Sequence, residues 1–261
     1  MTTTKSPGDE EDKILADFRT MIEKLPPLPP TLLGEWNRDD EAAVRAVGIA
    51  WGWLMRILRT AEAIRFLEQR GFGVECAPLR RSVVEHVIRL NWATTVDTRR
   101  FVEAALNKRK HSLGNITLAA EAGTPLPDGA LDIIELLKSE ADPGSDSVSF
   151  KDLKSLMNDI SDYQILFQIW LTDTQESHAT LTSSEAYVEF DPDEPGMHLH
   201  MEPAPHNHFR AMLPSMVLLG TEAFVHLAGI ADQLTEPLAD IRDRVTQLGT
   251  AQNSATGPGG C

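Results

Sequence analysis

Charged side chains interrupt an otherwise apolar stretch, APLRRSVVEHVIRLNWATT, at residues 77–95. Within this stretch Arg81 and Glu85 are one helical turn apart, so an α-helix would place their side chains next to each other. A buried charge costs on the order of several kcal/mol unless it is paired, and Arg81 and Glu85 can satisfy each other and a third group. Two interpretations stay open: a weak surface ion pair, or a buried polar cluster that faces a cavity.

Arg81 and His86 form a second candidate pair, because an arginine followed by four residues and a histidine resembles the motif of HEPN-type helical ribonucleases. In a continuous helix a five-residue step turns the chain by about 500°, which leaves the two side chains about 140° apart. The segment 87–90 shows no helix end. We therefore expect that Arg81 and His86 do not converge on one phosphate group.

The histidines of MHLHMEPAPHNH form a candidate metal site. On a β-strand His198 and His200 project from the same face, which is how a pair of zinc or nickel ligands is often supplied. Further side chains of the same segment that could contribute are Asp191, Asp193, Glu194, His206 and His208. The alternative is a set of exposed histidines in a proline-rich hairpin.

Sequence patterns of several enzyme classes are absent. No Gly-x-Gly-x-x-Gly follows a strand, and the chain has no Walker loop, no Gly-x-Ser-x-Gly elbow and no cysteine pair with metal-ligand spacing. We therefore predict no cofactor.

Composition restricts the partners and the compartment. The 261 residues carry a formal net charge of −15, which opposes broad binding to nucleic acid or to anionic lipid. Cys76 and Cys261 lie far apart, which argues against a disulfide framework. The N-terminus lacks the apolar core of a signal peptide, and the apolar runs are far shorter than the ~20 residues of a membrane span. We expect a soluble, cytoplasmic protein.

Positive charge is concentrated between residues 80 and 111. This segment has a net charge of +5, so the rest of the chain carries −20. Its basic residues are Arg80, Arg81, Arg89, Arg99, Arg100, Lys108, Arg109 and Lys110. Such a segment favours either an internal contact with the acidic remainder of the chain or a bound anionic ligand.

Helical periodicity extends over most of the chain and predicts an all-α fold, a multi-helix bundle with long antiparallel helices. Long helices are predicted at residues 40–70, at 78–94, and after Asp97 as N-cap. Shorter helices are predicted in PDGALDIIELLKSE, in FKDLKSLMND behind Ser149, and in SDYQILFQIWLTDTQES. Two final helices are predicted at 208–234 and 237–248. Gly48 and Gly52, in GIAWGWLM, indicate close helix packing.

One segment departs from helical periodicity. Side chains that would face opposite sides of a strand alternate on both sides of a Pro-Gly turn in EAYVEFDPDEPGMHLHMEPAP. This pattern predicts a small β-hairpin insertion near the C-terminal third. The predicted organisation is a disordered N-terminus at 1–12, a single helical domain at 13–248 and a disordered tail at 249–261. A Pro-rich linker at 26–30 tethers the first helix of that domain, because no helix crosses PPLPP.

Two motifs resemble a bacterial helical family of unknown function, DUF5677. LRRSVVEHVIRLNWA is similar to its Leu-Arg-Ser-x-x-Glu motif, and YQILFQIWLTDTQESHATL to a later motif with a Tyr and a final His. The matching positions are Arg81, Ser82, Glu85, Tyr163, Ser177 and His178. The resemblance extends over roughly residues 45–235. It implies an all-α fold and a polar cluster in which an Arg-Glu helix faces a His-bearing helix, and it implies no established activity.

Three functions follow from these patterns. The first is a binding or regulatory interaction module, with a second copy or another protein as partner and with Arg81, Glu85 and His178 as a buried polar cluster. The second is a phosphate-directed hydrolase, a HEPN-like RNase of a defence or toxin–antitoxin system, in which Arg81 stabilises anionic oxygens and His178 moves protons. RNA is a partner only of the hydrolase, and no membrane is expected as a partner. The third is metal binding by His198 and His200.

Overall fold

α-Helices account for nearly all of the structure, a computed structural model that describes residues 7–25, 38–139, 153–160, 163–189, 197–203 and 211–255. The helices are α1 Pro7–Glu23, α2 Arg38–Glu68, α3 Ala77–Ala93, α4 Thr98–Glu121, α5 Ala130–Ser139, α6 Leu153–Met157, α7 Tyr163–Ser177, α8 Leu181–Glu185, α9 Met212–Leu227 and α10 Ala231–Ala255. This confirms the all-α prediction. In the described part of the chain no helix combines the length and the apolar character that crossing a bilayer requires.

The predicted β-hairpin is present and small. Strand β1, Val188–Glu189, pairs antiparallel with β2, His198–Leu199, so that Glu189 is opposite His198. The Pro-Gly turn predicted between the strands lies outside the described residues, and so does the Pro-rich linker at 26–30.

The core is centred on α2, α3 and α9, which pack on one another, while α7 covers α3 and α10 covers α9. Helix α3 is buried or half-buried at every residue except Pro78. Burial of one large apolar side chain stabilises the folded state by about 1.5–3 kcal/mol, before the entropy cost of fixing that side chain is subtracted. The largest fully buried side chains of these three helices are Leu54, Ile57, Ile64, Ile88, Leu90, Trp92 and Phe224.

Two predicted helix boundaries are wrong near the C-terminus. The last two helices separate at Gly229, where φ is +66°, and not before Pro237. Gly229 N–H donates to the carbonyl of His226 and Ile230 N–H to that of Val225, a Schellman motif that ends α9. Pro237 lies inside α10, whose residues Leu234, Leu238, Ile241 and Val245 pack on the core at helical spacing.

The predicted ends of the helical domain also shift. Helix α1 begins at Pro7, within the segment predicted to be disordered at 1–12, and α10 extends to Ala255, within the predicted tail. The N-cap prediction for α4 is confirmed, since Asp97 Oδ1 accepts a hydrogen bond from the Arg100 amide at 2.9 Å.

Gly48 and Gly52 do not mark a close helix contact, contrary to the prediction. A Cβ atom at either position would meet nothing within 4 Å. The close approach is at Gly220 of α9, where an added Cβ would lie 2.8 Å from Ile57 Cδ1 and 3.8 Å from Val87 Cγ2. Gly220 therefore allows α9 to pack against α2 and α3.

We expect opposite effects from substitutions at the two kinds of glycine. Gly220→Val should lower the free energy of unfolding by about 1–3 kcal/mol, because the added methyl groups overpack the core. Gly52→Ala should raise it by up to about 1 kcal/mol, because alanine favours the helix and has open space. Urea denaturation measures both changes, and an equal effect of the two substitutions would contradict the assigned packing.

Candidate functional site

The contact between α3 and α7 brings together Arg81, Glu85 and His178. Arg81 Nε donates to Glu85 Oε1 at 3.1 Å, and Arg81 Nη1 lies 2.7 Å from His178 Nε2, directly after the end of α7. The two motifs that suggested a cluster therefore meet in space. The side chains of Arg81 and Glu85 are 27% and 22% exposed, so the cluster lies at the surface and not in sealed core.

The Arg81 contact assigns a role to one ring nitrogen of His178. A guanidinium has donors only, so in this contact Arg81 Nη1 donates and His178 Nε2 accepts.

Glu85 is the centre of the cluster. Besides Arg81, it accepts hydrogen bonds from Arg89 Nη1 at 3.3 Å and from Trp170 Nε1 at 3.3 Å. Burial acts to raise the pKa of Glu85, but Arg89, the Trp170 N–H and Arg81 together outweigh it and lower the pKa. The Arg81 guanidinium carbon also lies 5.7 Å from the centre of the Trp170 ring, within the range of a cation–π interaction. Glu85 is thus an ionised acceptor that holds Arg81, Arg89 and Trp170 together.

A second charged network lies deeper in the same helix contact, and the sequence did not reveal it. Arg80, only 2% exposed, donates to Asp173 Oδ1 at 2.8 Å, to Glu176 Oε2 at 2.8 Å and to the carbonyl of Gly73 at 2.7 Å. The sequence had suggested Arg81 as the buried arginine. One feature of the sequence could have indicated that Arg80 is buried: it lies on the same helix face as Val84 and Val87, which are both buried.

The deep network contains a carboxyl group whose pKa is raised by burial. Burial raises the pKa of Asp173 to about 6, although Arg80 acts to lower it. Asp173 Oδ1 accepts from Arg80, whereas the buried Oδ2 has no hydrogen-bond partner within the described part of the chain. Asp173 can therefore take up a proton on Oδ2 without losing its hydrogen bond from Arg80.

His86 lies apart from Arg81, as the helix geometry predicts. His86 Nδ1 is 2.6 Å from the carbonyl oxygen of Ser82, and its ring meets Trp53 of α2 edge-on, with centroids 6.1 Å apart. Burial lowers the pKa of His86, which keeps the ring neutral with Nδ1 as donor. Arg81 faces α7 and His86 faces α2, so the HEPN-like spacing does not produce a shared site.

Of the predicted metal pair, His198 lies in β2 and His200 directly follows it. His200 Nε2 is 3.2 Å from Glu189 Oε2, and His198 is the strand partner of Glu189. Among the residues that the structure describes, no three His, Cys, Asp or Glu side chains gather as metal ligands do. The other proposed ligands, between 191 and 194 and at 206 and 208, lie outside those residues. The metal site stays a prediction.

A surface cavity of about 290 Å³ opens elsewhere on α7. Its walls come from α6 and from the first half of α7, with Lys154, Asn158, Gln164 and Phe167 among the lining residues. It is not lined by Arg81 or His178, so it does not extend the polar cluster.

Comparison with known proteins fits this arrangement. The model of a family of unknown function, DUF5677, matches residues 48–195, more than half of the chain. The chain belongs to this DUF5677 family. No curated protein and no solved structure matches it. The DUF5677 match contains both helices of the polar cluster and ends before β2, α9 and α10, so it is shorter than the resemblance suggested.

The adjacent arginines provide a matched test of the two networks. Arg80→Ala should lower the free energy of unfolding by about 3–5 kcal/mol, because it leaves buried carboxylates without their cation. Arg81→Ala should cost no more than about 1 kcal/mol, because its ion pair is partly solvated. Chemical denaturation of both variants at one pH makes the comparison. A larger loss for Arg81→Ala would show that the surface cluster, and not the deep network, holds α3 and α7 together.

Proposed function

We propose that the chain is a binding or regulatory interaction module and that its docking surface is a helical arm. The arm consists of residues 107–121 of α4 together with α5. The observation that carries this proposal is the set of large apolar side chains that the arm exposes: Ile116 42%, Leu118 64%, Leu131 48%, Ile133 59% and Leu136 63%. Large apolar side chains that remain exposed in such numbers on one pair of helices are typical of an interaction site.

The arm extends beyond the hydrophobic core. The fully buried residues of α4 are at its beginning, Phe101, Val102 and Ala104, and none occurs after them in that helix. Ile134 of α5 is buried but is not part of the core cluster. The arm is held together by this residue and by Lys138, whose Nζ donates to Thr117 Oγ1 at 2.8 Å. Two helices with so small a core of their own gain stability when a partner covers them.

The polar networks support this function as structural elements. Arg80 with Asp173 and Glu176, and Arg81 with Glu85 and His178, connect α3 to α7 at defined positions along both helices. Ion pairs that are buried, as those of Arg80 are, can fix the register in which two helices pack. The body of the protein thereby becomes a fixed base for the arm. We place this module in the cytoplasm, where the buried thiol of Cys76 stays reduced.

The proposal predicts that a captured partner depends on the arm. Tagged full-length protein should retain a partner from a lysate of its source cell. The double variant Ile116→Ser/Ile133→Ser should lose it, because each serine removes apolar area that the partner would bury, at about 25 cal/mol per Å². The matched control is Leu181→Ser, which changes a leucine of α8 that is even more exposed, at 74%, and lies outside the arm. Equal capture by wild type and both variants would overturn the arm as docking surface.

A phosphate-directed hydrolase is the second candidate, and the Arg81–His178 contact favours it. A guanidinium that binds an anionic oxygen next to a neutral imidazole is a suitable arrangement for phosphoryl chemistry, because the imidazole can take the proton of the attacking group. Under this function Arg81 positions the phosphate and His178 Nε2 becomes available as base when the substrate displaces it from Arg81. The form of hydrolase predicted from the sequence is a HEPN-like RNase, here with His178 in place of His86 beside Arg81.

An RNA cleavage assay separates the two functions. If the chain is a hydrolase, His178→Ala should reduce cleavage by about 10²-fold or more, as expected for removal of a general base. The control His111→Ala changes a histidine on the arm, far from α7 in sequence, and should leave cleavage intact. Cleavage that is absent from all three proteins, or equal in all three, excludes the hydrolase and leaves the interaction module.

A further inference from the structure

The arm is electrically polarised along its length. Near its base α4 carries Lys108, Arg109 and Lys110 in succession. Near its tip the charged residues are Glu121, Asp128 and Asp132, all acidic. A surface with opposite charges at its two ends is complementary to an identical surface that runs in the opposite direction.

The acidic tip contains a groove of about 450 Å³ between the end of α4 and the start of α5. Ala120, Leu126 and Leu131 form apolar walls, and Asp128 and Asp132 add carboxylates. This combination fits a lysine or arginine side chain, whose aliphatic stem packs on apolar surface while its charged end meets the carboxylates. The basic residues at the base of the arm are side chains of this type.

Gly114 lies midway between the basic base and the acidic tip. Glycine costs a helix interior about 1 kcal/mol relative to alanine, yet a Cβ atom at Gly114 would meet nothing within 4 Å in the chain itself. Among the residues that the structure describes, none thus requires a glycine at this position. Glycine does allow another helix backbone to approach closely. Asn107, His111, Gly114 and Leu118 share one stripe of α4, so the exposed Leu118 borders the same position.

We propose that the partner of the arm is a second copy of this chain, packed antiparallel across a two-fold axis at Gly114. The proposal rests on the arm being the docking surface. The axis places Lys108 of one copy level with Ala120 of the other, since both lie about 9 Å from Gly114 along the helix at 1.5 Å per residue. The basic base of one copy then lies level with the acidic tip of the second, and the same pairing of opposite charges forms twice. A nucleic acid fits less well, because the acidic tip would repel it.

Sedimentation of the purified full-length chain over a range of concentrations tests the second copy. The wild type should show a reversible monomer–dimer equilibrium that added salt weakens, because salt screens the paired charges. Gly114→Leu should raise the dimer dissociation constant at least about tenfold by blocking the helix crossing. The matched control is Gly48→Leu, which introduces the same side chain at a helical glycine of α2 that also has open space. Circular dichroism should show both variants folded.

Charge-reversal variants test the proposed pairing of the basic and acidic ends directly. Lys108→Glu/Lys110→Glu and Asp128→Lys/Asp132→Lys should each weaken self-association, whereas a mixture of the two variants should form a heterodimer. A monomeric wild type, or a dimer unaffected by Gly114→Leu and by both charge reversals, would overturn the proposal. If the wild type is monomeric but the arm still captures another protein, only the second copy is refuted. If arm-dependent capture is absent as well, the interaction module fails with it.

Discussion

The arrangement of this protein depends on one buried cation. The Arg80 guanidinium is removed from water, and such a charge is tolerated only when its donors are paired. Its partners come from two places, the carboxylates of Asp173 and Glu176 in α7 and the backbone carbonyl of Gly73 in front of α3. The guanidinium is planar and directional, so these bonds define how far α7 can slide along α3. Every other contact between the two helices forms within that register.

The surface cluster is a consequence of this register. His178 directly follows the last turn of α7. Because Arg80 binds Asp173 and Glu176 of that helix, His178 lies close enough to Arg81 for a hydrogen bond. The two networks differ in the pKa of their carboxyl groups. In the deep network burial raises the pKa of Asp173, whereas in the outer network the hydrogen-bond donors and cations around Glu85 lower its pKa. Only the outer network presents polar groups to solvent. Any chemistry of this contact would therefore involve Arg81 and His178, while Arg80 maintains their positions.

The arm shows the opposite physical situation. In the body, most apolar side chains of α2, α3 and α9 are buried, although Trp51 and Phe66 of α2 are exposed. On the arm comparable side chains remain exposed around a single buried residue, Ile134. The body can thus fold around its own core, whereas the apolar surface of the arm gains its full hydrophobic stabilisation only in a complex. A body with its own core and an extension whose apolar surface is incompletely covered are the two features on which the proposed interaction module rests.

The sequence by itself determined the helices, because apolar periodicity and local signals such as the Asp97 cap act within a few residues. It also determined that Arg81 and Glu85 pair and that Arg81 and His86 diverge, since both follow from the angle per residue in one helix. The end of α9 at Gly229 was predicted wrongly because Pro237 appeared to be the stronger break, while packing of Leu234 and Leu238 keeps α10 continuous. Only the tertiary structure decided that Arg80 is the buried arginine, that its partners are in α7, and that Gly220 rather than Gly48 or Gly52 is the close contact. These features depend on which faces of distant segments meet, and the periodicity of one helix carries no information about the helix it packs against.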